Sequence, residues 1–450
     1  MRAVRLFTSF LLFSFPTFAI GSAAAQAGPY SPKPPLSAWD SISGALGRAS
    51  ASHAVIDPVT QLAELTASDG GFNNFLGTSV AVAGNTVVVG PASDNGPFHG
   101  AAYVFVKPPT GWSNMTQTAE LTASDGMSDD ELGRSVSISV DGNTIVSGAP
   151  FHTNSDNSLG AVYVWVKPAT GWTNATETAK LIASDGSQYS EYLGLSVSIS
   201  ADTVVVGAPG WGTQNVSGEG ALYVYVKPQG GWVSATETAR LTVAGAGAAD
   251  DLGESLGISG STIVGGAPGA SATYVFVEPA GGWRTTSTPS AKLSATGIGG
   301  AVAINGNIVA AGSPNLTVGS NHEQGAAFIF VKPPSGWRST SNFNAELTAS
   351  NGMTGDQFGS SVTVAGQGDG VVSGAVGGNA AQGTAYLFLK PKNGWKTTSK
   401  FAAEFNASDG QSGYGFGSAV NTDGRMLVVG SPGWFGPFGD QQGSAYIFGR

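Results

Sequence analysis

The chain has 450 residues, with 67 glycines, no cysteine and a formal net charge of −10. Only 11% of the residues are charged, which together with the glycine content argues against a helical protein and favours short strands joined by tight turns. The acidic balance argues against nucleic acid as a partner, and without disulfides the core alone must stabilise the fold.

Residues 1–27 have the layout of a secretory signal peptide. Arg2 and Arg5 precede an apolar run, and Ala25 and Ala27 form an A-x-A cleavage site. The run is too short and too interrupted to favour a membrane span. We therefore expect a secreted or cell-surface protein with no membrane span after cleavage. Residues 28–58, rich in Pro, Ser and Ala, are expected to form a linker or N-terminal arm.

A unit of roughly 57 residues recurs seven times between residues 59 and 450. The phrase AELTASDG occurs at 63–70 and 119–126, and AELTASNG occurs at 345–352. A fixed period of this size indicates one supersecondary unit that is either stacked linearly or closed into a ring.

The second copy predicts four antiparallel strands, at residues 132–138, 144–148, 160–166 and 177–182. A tight turn at 141–143, a proline at 150 and the KPATGW turn separate them. Four such strands make one propeller blade. The sequence therefore predicts an all-β, seven-bladed propeller, because the first-strand phrase begins at Gly77, Gly133, Gly194, Gly253, Gly299, Gly359 and Gly417.

The array begins with the last strand of a unit and stops before that same strand. We predict that residues 61–66 pair with residues 445–448 and close the ring, which covers two strand edges. The alternative is an open solenoid with a frayed first strand.

Short phrases around these strands resemble a known repeat. Gly-Ala-Pro follows the second strand at 148–150, 207–209 and 266–268, and Phe-Gly precedes the first at 358–359 and 416–417. They resemble the FG-GAP repeat of the seven-bladed propeller in integrin alpha subunits, and the KPxxGW turns look most similar to bacterial secreted members. In four copies Leu-Gly replaces Phe-Gly, and GPA, GSP or GAV also replace Gly-Ala-Pro. The resemblance implies a fold more firmly than a function.

The resemblance also implies calcium sites, which in integrins use loops of the D-x-D-x-D-G kind. No loop of this chain has that spacing, so we expect no cofactor. The weak calcium candidates are adjacent acids, since calcium needs six or more converging oxygens. They are Asp129, Asp130, Glu131, Asp250 and Asp251.

In a propeller, the connections from strand 4 to the next strand 1 and from strand 2 to strand 3 share one face. Acidic residues gather in these connections, whereas lysines gather in the KP turns of the other face. The strand 2 to strand 3 connections differ most from one copy of the repeat to another. Their aromatic and histidine side chains are our ligand-binding candidates. The alternative is that these side chains plug the channel or cap blades. They are Phe98, His99, Phe151, His152, Trp211, His322, Trp434, Phe435 and Phe438.

Six Gly-Trp turns admit two interpretations, a sugar-binding tryptophan ladder or packing of each ring on a hairpin, and their equal placement favours packing. No nucleophile elbow, HExxH or Walker motif occurs, so an enzyme is not favoured. We therefore expect a monomeric binding or adhesion module that recognises a protein or glycan. The alternative is a carbohydrate-active hydrolase or lyase with carboxylates at the channel mouth.

Overall fold

The computed structural model describes residues 59–71, 73–92, 100–154, 157–185, 191–213, 216–433 and 441–449. The signal peptide and arm predicted for residues 1–58 lie outside these ranges. The described residues form seven blade sheets, each with four antiparallel main strands, which confirms the all-β propeller prediction. None of their helices is long and apolar enough to span a membrane.

The blades follow one another in chain order, and the strands of each are given from the channel outward. Blade 1 has Ser79–Ala83, Thr86–Gly90, Ala102–Val106 and Ala119–Thr122; blade 2 has Ser135–Ile138, Thr144–Ala149, Ala161–Val166 and Ala179–Ile182; blade 3 has Ser196–Ser200, Thr203–Ala208, Ala221–Val226 and Ala239–Leu241; blade 4 has Leu256–Ser259, Thr262–Ala267, Ala272–Val277 and Ala291–Ser294.

Blade 5 has Ala301–Asn305, Ile308–Ser313, Ala326–Val331 and Ala345–Leu347; blade 6 has Phe358–Ala365, Gly370–Ala375, Thr384–Leu389 and Ala403–Phe405; blade 7 has Val420–Thr422, Leu427–Ser431, Ser444–Gly449 and Thr60–Thr66. A small hairpin, Thr153–Asn154 with Asn157–Ser158, and one helical turn, Gly378–Ala381, lie in strand 2 to strand 3 connections.

Ring closure occurs where it was predicted. Thr60–Thr66 pairs antiparallel with Ser444–Gly449, with Ala63 opposite Ile447 and Leu65 opposite Ala445. Leu65 is fully buried in a core that joins blades 7 and 1. The first segment of the propeller therefore supplies the outermost strand of the last blade, and this rules out the open solenoid.

Glycines hold adjacent blades together at close range. The second-strand glycine of one blade lies against the backbone of the first-strand glycine of the next, so that a Cβ on Gly148 would come within 1.9 Å of the Gly194 carbonyl oxygen. The Gly430 and Gly77 pair repeats this contact at the ring closure. Ser135 Oγ also donates a 2.7 Å hydrogen bond to the Gly194 carbonyl. The Gly-Ala-Pro and Phe-Gly phrases thus meet across the blade boundary.

The first strand of blade 2 begins at Ser135, three residues later than predicted. Leu132 instead forms a parallel bridge to Gly100 of blade 1, and Gly133 has φ +102°. These two residues belong to the seam between blades rather than to the ladder. The positive φ of Gly133 and its close approach to the Ala101 carbonyl explain why a glycine stands at position 133.

The sheets also contain short parallel strands that the sequence did not predict. Met115–Thr116, Ala175–Thr176 and Ala235–Thr236 each pair with the outermost strand of the preceding blade. In three further blades single parallel bridges, such as Leu347 to Thr398, occupy the same place. They tie neighbouring blades at the rim.

Candidate functional site

Backbone hydrogen bonds confirm which connections share a face. The Phe151 N–H in a strand 2 to strand 3 connection donates to the carbonyl of Asp130, which lies in the connection that enters blade 2. On the opposite side, the Lys167 N–H of a KP turn donates to the Asn143 carbonyl of a first hairpin. We call the first side the loop face and the second the turn face.

The Ser-Asp-Gly turns of the loop face have a structural role. In four blades the turn aspartate accepts a hydrogen bond from a third-strand tyrosine, as Tyr163 does at 2.8 Å to Asp125 and Tyr446 at 2.8 Å to Asp409. Burial, followed by the neighbouring carboxylates, raises the pKa of Tyr163. These tyrosines therefore stay protonated donors that fix each turn on its blade.

His152 is buried within a network in blade 2. Its Nδ1 lies 2.7 Å from Asp130 Oδ2, and its Nε2 lies 2.8 Å from Lys180 Nζ. Lys180 also donates to Asp125 Oδ2 at 2.6 Å, an interaction that, with the Tyr163 hydrogen bond, lowers the Asp125 pKa despite the opposing effect of burial. This geometry uses His152 internally to clamp two loops together.

Trp211 has a comparable place in blade 3. Its Nε1 donates to Asp185 Oδ2 at 3.4 Å, and the Arg240 guanidinium lies 4.8 Å from the centroid of the indole ring. Arg240 also forms an ion pair with Asp185. The partly buried ring thus packs between loop and blade, while its remaining surface faces solvent.

Phe151 and His322 are the two other described candidates. The Phe151 ring packs edge-on against Tyr192, with 5.4 Å between centroids. His322 is exposed, and its Nδ1 lies 3.4 Å from Thr317 Oγ1. The structure places these candidates on the same face but on separate blades. The remaining candidates lie outside the described residues: Phe98, His99, Trp434, Phe435 and Phe438.

The weak calcium candidates occupy two loops. Asp130 is buried and accepts the Met127 N–H at 2.7 Å, and Glu131 pairs with Arg134 at 3.4 Å. In blade 4, Asp250 accepts the Gly247 N–H at 2.7 Å, and burial, followed by Asp250, raises the Asp251 pKa. No three acidic or histidine side chains in the described ranges converge as a metal site would require. Calcium binding at Asp129 and its neighbours stays an untested prediction.

The outermost strands of the seven blades differ in the charge of one residue, a feature that the loop sequences did not indicate. One residue on each outermost strand lies opposite the third-strand aromatic residue. It is basic in blades 2 to 4 and acidic in the other four blades. The signal was readable in the repeated A-x-L phrase, which becomes A-E-F in blade 6, and its central residues are Glu64, Glu120, Lys180, Arg240, Lys292, Glu346 and Glu404.

Two of these acids face another carboxyl group. Burial raises the pKa of Glu64 to about 7, with Asp409 adding a smaller effect. Burial and then Asp69 also raise the Glu120 pKa. Because the outermost strand lies farthest from the channel, neither pair stands at the channel mouth, where the enzymatic alternative requires them.

The turn face is less basic than the KP lysines suggested. Lys227 forms an ion pair with Asp202, and Lys390 forms one with Asp369. These aspartates belong to the first hairpins, which place them beside the lysines of the same blade. A cavity of about 270 Å³ opens on this face at the channel, with Asp423 and Arg425 at its rim.

The Gly-Trp rings pack rather than form an open ladder. Trp172, Trp232, Trp283 and Trp395 are each at most 7% exposed and belong to the cores between blades. Trp112 lies at the blade 7 boundary, where its Nε1 approaches Met426 Sδ at 2.9 Å.

The family model for the FG-GAP repeat matches five segments, residues 59–105, 115–165, 175–225, 342–388 and 400–448. Together they cover more than half of the chain. Each segment joins the outermost strand of one blade to three strands of the next, and the unmatched stretch contains most of blades 4 and 5. No curated protein matches the chain.

Proposed function

This chain belongs to the FG-GAP repeat family, and from that premise we propose that it is a secreted or cell-surface module that binds a protein or a glycan through its loop face. Propellers of this family often bind proteins. Adhesion in the manner of integrin alpha subunits, and a bacterial secreted type, are the finer forms of this proposal.

The proposal is supported by one contrast: the backbone of the blades repeats around the ring, whereas the side chains on the loop face differ from blade to blade. The glycine seams repeat from blade to blade, so the framework is nearly constant around the ring. On this framework the loop face places a buried His152 network in blade 2, a Trp211 and Arg240 stack in blade 3 and an exposed His322 in blade 5. Different side chains on a rigid scaffold are typical of recognition surfaces.

The absence of cysteine from the chain permits a direct test of the face. Met353 on the loop face and Val233 on the turn face are 59% and 53% exposed, so each accepts a single cysteine without loss of packing. We expect a bulky polyethylene glycol maleimide at Met353→Cys to abolish binding to arrayed extracellular proteins or glycans. The same label at Val233→Cys should leave binding unchanged. Equal binding by both labelled proteins would refute the assignment of the loop face.

A further inference from the structure

Blade 5 has lost a loop together with the polar groups that hold it elsewhere. Five residues separate Leu293 from Gly299, whereas eleven separate Leu121 from Gly133 at the entrance to blade 2. The Ser-Asp-Gly turn is therefore missing here. The third-strand tyrosine that would donate to its aspartate is replaced by Phe328, which lies opposite Glu346.

A second substitution accompanies the missing turn. In four blades a glutamine or glutamate before the outermost strand holds the serine of the turn, as Gln117 does by accepting the Ser68 N–H at 2.9 Å. In blade 5 this position is Phe343, whose ring is 38% exposed and lies 4.8 Å from the Phe328 ring centroid. Both polar partners of the absent turn have thus become aromatic.

The missing loop leaves an open cavity of about 790 Å³ on the loop face between blades 4 and 5. This volume falls within the range of about 300–1,000 Å³ that is usual for small-molecule sites. Beside the two phenylalanines, its lining consists mainly of hydroxyl side chains and one carboxylate. They are Ser271, Ser294, Thr296, Thr317, Ser341 and Glu346.

These groups match the chemistry of a sugar ring. A pyranose has C–H surfaces that pack on an aromatic face, and its hydroxyls both donate and accept hydrogen bonds. Among the described residues the Glu346 carboxylate forms no side-chain hydrogen bond or ion pair, so its oxygens can accept from such hydroxyls. Among the described residues no lysine or arginine lines the cavity, so these residues offer no counter-charge to an acidic sugar.

We propose that the blade 5 cavity binds a neutral pyranose, which packs on Phe343 and donates hydrogen bonds to Glu346. The inference rests on the proposed binding function and names its ligand class and position. His322, one of the residues selected from the sequence, lies 3.4 Å from Thr317, which lines this cavity.

The test measures binding of the full chain to methyl glycosides of neutral hexoses by saturation-transfer NMR and calorimetry. Methyl glucuronide is the acidic comparison. We expect Phe343→Gln, which restores the residue type of blade 1, and Glu346→Gln to weaken binding at least about tenfold. Glu404→Gln, at the same strand position in blade 6, is the matched control and should bind as the unmodified protein does. Unchanged thermal unfolding would show that the variants are folded.

The outcomes separate this inference from the broader proposal. The sugar site is refuted if no neutral glycoside binds, or if the Phe343→Gln variant binds as tightly as the unmodified protein. If the label at Met353→Cys still blocks a protein partner in that case, recognition by the loop face stands without a sugar in the blade 5 cavity. If neither glycans nor proteins bind, both proposals fail.

Discussion

Glycine determines how closely the blades approach. The second-strand glycines contact the next blade through backbone atoms alone, so any side chain there must push two blades apart. Gly90 illustrates the contact, since its Cβ position lies 1.9 Å from the Gly133 carbonyl oxygen. The two blades can approach this closely because neither glycine carries a Cβ atom that would clash.

Gly90→Ala should therefore destabilise the protein by about 1–3 kcal/mol through overpacking. Gly281→Ala is the control, because its added Cβ meets nothing within 4 Å and its φ is not positive. That substitution should change stability by less than about 0.5 kcal/mol. Urea unfolding midpoints measure both, and similar values for the two variants would contradict the steric account.

The sequence predicted these glycines as a pattern but not their contacts. The repeated Gly-Ala-Pro and Phe-Gly phrases marked their positions along the chain. The pairing of Gly148 with Gly194 across a blade boundary depends on the position of the neighbouring blade, which no local pattern contains. For the same reason the burial of His152 against Asp130 could not be read from an exposed-looking loop.

At the scale of elements, the closing strand carries an unusual acid. Glu64 lies opposite Tyr446 on that strand, and its Oε1 is buried without a hydrogen-bond partner in the described part of the chain. Its pKa of about 7 exceeds the usual value of 4.5, first because of burial and then because of Asp409. The folded chain therefore keeps a proton that the unfolded chain releases.

This difference makes closure sensitive to pH. Between pH 4.5 and 7 the folded state binds more protons at Glu64 than the unfolded state, so stability falls as the pH rises through this window. We expect the unmodified protein to lose on the order of 1 kcal/mol more than Glu64→Gln between pH 5 and 8, a value discounted because the carboxyl is partly solvated. Urea unfolding at both pH values measures it, and equal losses would be inconsistent with the proposed role of Glu64.

Long strands were predicted from the sequence more accurately than short ones. The four main strands of blade 2 and the closing strand were placed within about three residues, because alternation and turns define them. Two-residue strands such as Met115–Thr116 carry no such pattern and were missed. The short spacing between Leu293 and Gly299 can be read from the sequence, yet its consequence for Phe328 and Phe343 required the fold.

At the scale of the whole molecule, closure brings the first and last blades into contact. The pairing of Ala63 with Ile447 completes blade 7, and blade 7 in turn packs on blade 1 through a shared core and the Gly430 and Gly77 contact. The proposed loop face is part of this closed ring.

The most direct measurement is therefore a disulfide across the closure. Ala63 and Ile447 are opposite each other and share one buried core, and the chain has no competing cysteine. Mild oxidation of the Ala63→Cys, Ile447→Cys variant, followed by non-reducing peptide mapping, should join the segment around residue 63 to the C-terminal segment within one monomer. Two free thiols in the folded protein, or a bridge found only between two chains, would contradict the closed ring.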